Sequence, residues 1–193
     1  MLEPVSRDAT YEDLLRVPEH LIAELIDGEL YVSPRPAPPH GNAASSLGAD
    51  LNILFQRGRG GPGGWWIQYE PELHLGRDVF VPDLAGWRIT TMATPPTTAW
   101  FDIAPDWVCE VLSPVTGTVD RLKKLPRYGR YGIQWAWLVD PLARSLEIYQ
   151  LNGGLFSVYG GGSGDDIIRA EPFEAVELEL APLWLPTPPS PQS

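Results

Sequence analysis

The sequence predicts one domain of the mixed α/β class, α+β in its detail, with a mixed central β-sheet flanked by helices and extended by additional β-hairpins. Three observations predict it. An Asp27-Gly28 dipeptide separates two apolar runs; several short runs rich in aromatic and β-branched residues are spaced by Pro, Gly or Asp; and two stretches with helical spacing are interleaved among them. At 193 residues, 44% hydrophobic and 20% charged, the chain is long enough for one sizeable core. The domain is expected over residues 1–185, and the Pro- and Ser-rich residues 186–193 read as a disordered tail.

In chain order, Thr10 before Tyr-Glu-Asp13-Leu-Leu predicts a capped helix of two turns, with acidic residues where its dipole favours them. Leu21–Ile26 and Glu29–Ser33 form a hairpin, because Asp27-Gly28 supplies the positive φ angles of a tight turn. Pro34 to Pro39 interrupts regular structure. From about His40, residues Ala43, Ala44, Leu47, Leu51, Leu54 and Phe55 recur at the spacing of one helix face. Residues 58–64, mostly glycine, read as a flexible loop. Trp65 to Tyr69, Glu72 to Leu75, Val79 to Trp87 and Trp107 to Leu112 suggest the central sheet. Residues 90–106 lack periodicity and predict a surface loop placed where it could border a site. A second helix is expected from about Val119 to Tyr131: Asp120 suits its start, Leu122 and Leu125 share a face, Pro126 is a candidate kink and Gly132 a stop. Gln134 to Val139, Ser145 to Leu151 and Leu155 to Tyr159 read as further strands.

No apolar run approaches the roughly 20 residues of a membrane-spanning helix, and the N-terminus lacks a leader pattern. The single Cys109 has no partner for a disulfide, so a soluble protein of the reducing cytoplasm is expected. The formal charge of −11 weighs against tight nucleic-acid binding, which draws on cations that neutralise phosphates. Several Lys and Arg nevertheless cluster between Arg121 and Arg130, and the acidity could come from carboxylates gathered around a metal. Walker, dinucleotide, nucleophile-elbow and zinc-helix signatures are all missing.

Two local anomalies point to chemistry. Val79-Phe-Val-Pro-Asp-Leu-Ala-Gly-Trp87 is an apolar strand interrupted by Pro82 and Asp83, so it must bend, bulge or lie at an edge there. Trp107-Val-Cys-Glu-Val-Leu112 carries Glu110 inside an apolar run, where burial costs several kcal/mol unless the carboxylate is paired, protonated or metal-bound. A shared hard cation, Mg²⁺ or Mn²⁺, would satisfy both carboxylates. The plainer alternatives are a Pro-Asp turn for Asp83 and a solvent-facing strand position for Glu110. Glu24 interrupts Ile22-Ala-Glu-Leu-Ile26 more weakly, and His40 at a helix start fits either a surface group or a ligand. Lys123 and Lys124 fit a solvated face or a cation beside phosphate, and Tyr128 and Trp137 read as packing.

The ordered set Glu24-Leu-Ile-Asp-Gly28-Glu-Leu, Pro-His40-Gly, Val-Pro-Asp83-Leu, Glu110-Val-Leu-Ser113-Pro114, Asp120 with Lys124 and Tyr128, Gly132, and Trp137-Leu-Val-Asp140-Pro141 resembles the Uma-type restriction endonuclease domain. That family is a branch of the PD-(D/E)XK phosphodiesterase superfamily, and the resemblance covers roughly residues 10 to 160. It implies a restriction-endonuclease-like core, a Mg²⁺-dependent nuclease site acting on DNA, and frequently a homodimer. Carried over by position, Asp83 matches the aspartate of the Pro-Asp motif and Glu110 the acidic residue of the Glu-x-Lys motif. Leu112 stands where that motif has lysine. Lys124 matches the lysine of the family's Asp-x-x-x-Lys helix pattern and is the substitute candidate, with Lys123 as fallback. Glu24 matches an upstream glutamate that helps bind metal, and His40 a histidine near the site. Trp135 departs from a frequent glutamate.

The expected function is therefore metal-dependent hydrolysis of DNA phosphodiester bonds by Asp83, Glu110, Lys124, Glu24 and His40. A non-catalytic dimeric scaffold that retains the fold is the alternative, supported by Leu112, the acidity and the eight tryptophans. A hydrolase of another phosphate ester would share the site.

Overall fold

The computed structural model describes residues 2–186, so residues 187–193 of the expected tail lie outside it. In chain order the elements are β1 (Ser6–Arg7), α1 (Tyr11–Leu14), β2 (Leu21–Ile26), β3 (Glu29–Pro34), α2 (Pro38–Leu51), β4 (Trp65–Tyr69), β5 (Glu72–Leu75), β6 (Asp78–Phe80), β7 (Leu84–Arg88) and β8 (Trp100–Phe101). They continue with β9 (Trp107–Val111), α3 (Gly117–Val119), α4 (Leu125–Arg130), β10 (Trp135–Asp140), β11 (Ser145–Asn152), β12 (Leu155–Ser163), β13 (Ile167–Ile168) and β14 (Leu178–Glu179).

The strands expected in one central sheet divide between two. One six-stranded sheet has the order β1-β3-β2-β6-β5-β8, the other β12-β11-β10-β9-β7-β4. Pro82 is the reason. The run from Val79 to Trp87 is not one strand: β6 pairs with β2 and β5 in the first sheet, whereas β7 pairs with β9 and β4 in the second. A residue without an N–H cannot continue a ladder, so the chain changes sheets across Val81-Pro82-Asp83. The Asp27-Gly28 hairpin forms as expected, with φ of 57° and 77° at its two turn residues.

The central pair β9 and β10 is parallel, in register from Trp107↔Trp135 to Val111↔Val139. Parallel strands are covered on both faces and read as continuous apolar runs, which accounts for every residue of β9 being buried. Such a pair requires a crossover, and the helical rod Gly117 to Arg130 supplies it. Within the rod, a π turn over Asp120–Lys124 joins α3 to α4. The turn ends just before Leu125-Pro126; the carbonyl four residues before Pro126 lies inside the π turn, where the hydrogen-bond ladder has already shifted. Pro126 is thus accommodated without breaking the rod, and Gly132 (φ +78°) follows its end.

α1 is a single turn rather than the two expected, closed by a capping box in which Asp13 accepts hydrogen bonds from the Thr10 backbone N–H and hydroxyl at 2.9 Å. The stretch 90–106, expected as a surface loop, carries the short strand β8 paired with β5 and buries Met92, and it does not line the acidic cavity described below. No helix among the described residues is long and apolar enough to cross a membrane.

One core lies between α2, the second sheet and the C-terminal segment through Trp184; another lies between the two sheets and the rod. Phe173 anchors the first, with ring centroids 4.7 Å from Phe55, 4.8 Å from Trp65, 5.0 Å from Trp107 and 5.6 Å from Trp137. Trp137 is buried as expected, and its indole N–H donates to the Glu171 carbonyl at 2.7 Å. Because Phe173 fills the space among four rings, Phe173→Ala is expected to cost about 3–5 kcal/mol of unfolding free energy, measured by urea denaturation.

Candidate active site

Alternation along β9 places Glu110 on the face of Val108, toward the rod and the first sheet, while Cys109 and Val111 face α2. A carboxylate on that face is almost wholly withdrawn from solvent and must find a partner. Its partner is Lys124, whose Nζ lies 2.8 Å from Glu110 Oε1; the two side chains are 3% and 5% exposed. The same ammonium is 2.9 Å from Glu24 Oε1 on β2 and 3.7 Å from Asp120 Oδ1 one helical turn back. The Val81 N–H donates to Glu24 Oε1 at 2.8 Å, and the Tyr128 hydroxyl donates a short hydrogen bond to Glu110 Oε1.

Asp83 stands at the sheet-to-sheet corner. Its Oδ2 accepts the Val111 N–H at 2.7 Å, and its Oδ1 is 3.2 Å from Nε2 of His40, in the first turn of α2. His40 Nδ1 is buried without a hydrogen-bond partner among the described residues. These side chains line one cavity of about 190 Å³, walled also by Arg35, Ser113 and Thr116. The Ser113 hydroxyl accepts the N–H groups of Val115 and Thr116, so the Ser113-Pro114 dipeptide shapes the entry to the helical rod.

The five residues singled out from the sequence, Asp83, Glu110, Lys124, Glu24 and His40, thus share one cavity. Lys123 does not join them: its Nζ lies 3.3 Å from Glu29 and its side chain is half exposed. Leu112 lies outside the cavity, packed near Gly117 and lining a neighbouring groove. The basic cluster of the rod is also engaged elsewhere, with Arg121 bidentate on Glu147 and Arg127 paired with Asp27. Two residues named in the motif set were not assigned to the site. Asp120 looked like a helix-start residue and Tyr128 like packing, yet both turn polar atoms to Lys124 and Glu110. The detectable signal was the spacing of Asp120, Lys124 and Tyr128, four residues apart along one helix face.

Burial dominates the electrostatics. It lifts Glu110 well above the usual carboxylate range despite Lys124, helped by the charges of Asp120, Asp83 and Glu24. Asp120 is pushed up to about 6, again by desolvation first. Burial alone would lower Lys124, but the surrounding carboxylates outweigh it and hold the ammonium charged. His40 follows the same logic: desolvation is more than offset by the hydrogen bond and charge of Asp83, and its pKa is raised.

Comparison with known proteins bears on family and fold. A family model named Uma2 and described as "Putative restriction endonuclease" matches residues 8–182. Among solved structures, the chain is similar to a crystal structure described as "a putative nuclease belonging to DUF820" from Anabaena variabilis ATCC 29413. The TM-score is 0.72 at 22% identity, covering 91% of this chain and 97% of that one, a likeness of fold. No curated protein matches the chain.

Removing the one cation from this buried cluster leaves its carboxylates uncompensated. Lys124→Ala is expected to lose about 3–5 kcal/mol in urea denaturation, whereas Lys123→Ala should stay within about 0.5 kcal/mol. Asp120 gives a pH signature. Between its ordinary value of 3.8 and about 6, the folded state holds a proton that the unfolded chain has released. The contribution of Asp120 to stability therefore falls as pH rises through that window, by up to about 3 kcal/mol. In metal-free buffer, the melting temperature of Asp120→Asn relative to the parent chain should increase from pH 4 to pH 7.

Proposed function

The chain belongs to the Uma2 family of restriction-endonuclease-like proteins, and on that premise we propose that the acidic cavity hydrolyses phosphodiester bonds of DNA with a hard divalent cation, Mg²⁺ or Mn²⁺. The observation that carries this reading is the position of Lys124. Its ammonium lies 2.8 Å from Glu110, giving the cavity from the helical rod the cation that Leu112 withholds from the strand.

The donor set suits such a cation. Mg²⁺ keeps several waters and is commonly held by one or two carboxylates. Asp83 and Glu110 offer oxygen donors of that kind at neighbouring positions, with Glu24 next to them. No three His, Cys, Asp or Glu side chains among the described residues are grouped so as to hold a metal, so the fit is to a two-carboxylate site completed by water. A cation bound there would supply Lewis acidity toward a phosphoryl oxygen and acidify a water.

The protein's own groups then divide the work. Asp83 is fixed through both oxygens by the Val111 N–H and His40, so its carboxylate is oriented before any substrate arrives. Lys124 holds its proton at Nζ and presents positive charge where negative charge develops on phosphate, or orients the attacking water. Glu24 and Asp120 balance that ammonium, and Tyr128 fixes Glu110 by its hydroxyl proton. His40 holds Asp83 through Nε2, while its Nδ1 is buried without a partner among the described residues.

The engagement of Lys124 with three carboxylates also favours a second reading, a homodimeric scaffold in which the cavity is only a structural ion cluster. Plasmid cleavage with Mg²⁺ or Mn²⁺ separates the two. Nicking or linearisation is expected from the parent chain and should fall by about 100-fold or more in Asp83→Ala and Glu110→Gln. Activity unchanged in Asp83→Ala would sink the site assignment. A stable dimer that binds no divalent ion in calorimetry and cuts nothing would establish the scaffold.

A further inference from the structure

A polymer substrate leaves the cavity on both sides of the reacting phosphate, and an acidic chain must offer its backbone a cation where it leaves. The charges lining the cavity narrow the choice. Lys124 is buried among carboxylates and His40 is paired with Asp83, whereas the Arg35 side chain is 54% exposed. Arg35 also lines a second groove, of about 420 Å³, walled by Leu14, Val17, Glu19 and Glu70. It therefore stands on the ridge between the acidic cavity and that groove. Its backbone lies in Pro34-Arg35-Pro36, where a fixed φ on either side limits the freedom lost when the guanidinium is held.

The present partners of Arg35 are weak ones. One terminal nitrogen lies 3.1 Å from Glu70 Oε2, and the other donates to the Glu19 carbonyl at 3.3 Å. An exposed pair of this kind contributes little, while a phosphate can take the guanidinium through two parallel charge-assisted hydrogen bonds. Glu70 is itself fastened to the site: its N–H donates to the Asp83 carbonyl at 3.0 Å, and its φ is +42°. Glu70, on the side of the second groove, thus occupies the cation that a phosphate would use.

We infer that Arg35 binds a backbone phosphate of the substrate strand next to the reacting one, and that this phosphate displaces Glu70 from the guanidinium. The inference rests on the nuclease reading and adds to it the residue that anchors the strand and the carboxylate that competes for it. Arg35 is a positioning residue, and Glu70 sets how readily it is available.

The test is fluorescence anisotropy of a short fluorescein-labelled DNA duplex, with its single strand in parallel, in Ca²⁺ buffer across a NaCl series. Arg35→Ala is expected to weaken binding about 3- to 10-fold and to reduce the slope of log K against log [NaCl] by about 1, the signature of one lost phosphate contact. Arg35→Lys should recover most of the slope. Glu70→Gln should tighten binding severalfold, and the gain should vanish in the double variant with Arg35→Ala. In cleavage assays Arg35→Ala should raise KM and leave kcat nearly unchanged, with an unchanged melting temperature. Parental affinity and slope in Arg35→Ala, or a Glu70→Gln gain that survives without Arg35, would overturn the inference while a cleaving parent chain keeps the nuclease reading. A parent chain that neither binds nor cleaves DNA overturns both.

Discussion

The ammonium of Lys124 is the joint on which the rest of the structure turns. It reaches from the helical rod to Glu24 on the first sheet and Glu110 on the second, so one charge ties together three parts that sequence separates widely. A single unpaired carboxylate at either place would be too costly to bury, and the lysine without them would be equally so. The three are mutually obligatory. The same arrangement packs Tyr128 against Phe80, with centroids 5.0 Å apart, while its hydroxyl reaches Glu110. Its ring belongs to the core and its oxygen to the buried cluster around Lys124.

The corner at Val81-Pro82-Asp83 is the geometric counterpart of that joint. By ending β6 and starting β7 in a different sheet, it brings Asp83 to the end of β9, where the Val111 N–H fixes it. A second buried carboxylate on the same face of the first sheet reinforces the alignment near the C-terminal end of the rod. Asp78, fully buried, accepts the Asp27 N–H at 2.7 Å and the Tyr131 hydroxyl at 2.9 Å, which holds the hairpin turn against the end of the rod. Glu24 and Lys124 are thereby kept within reach of one another by contacts outside the cavity. Chemistry and packing are coupled because the cavity occupies the seam between sheets.

Much of this was legible locally. The Asp27-Gly28 turn, the capping of α1 and the amphipathic face of α2 each follow from a few adjacent residues, and each forms. The odd carboxylates were legible as well, since a charge inside an apolar run signals a partner wherever the partner lies. Less legible was the sheet to which each strand belongs. Pro82 announced an interruption, but its sequence context is equally compatible with an edge, a bulge or a crossover, because ladder partners come from distant residues. Asp120 and Tyr128 escaped for a related reason: a helix start and an aromatic in a core are ordinary by themselves, and their role depends on what faces them.

The anomaly of Glu110 in its strand, the bend before Asp83 and the membership of the chain in its family were thus determined by the amino-acid sequence alone, since desolvation cost, proline geometry and an ordered set of motifs are local properties. The tertiary structure decided that Lys124, and not Lys123, lies buried against Glu110 and Glu24. Adjacent positions on a helix point about 100° apart, and only the packing of the rod against both sheets settled which of the two ammonium groups would be buried among carboxylates and which left in water.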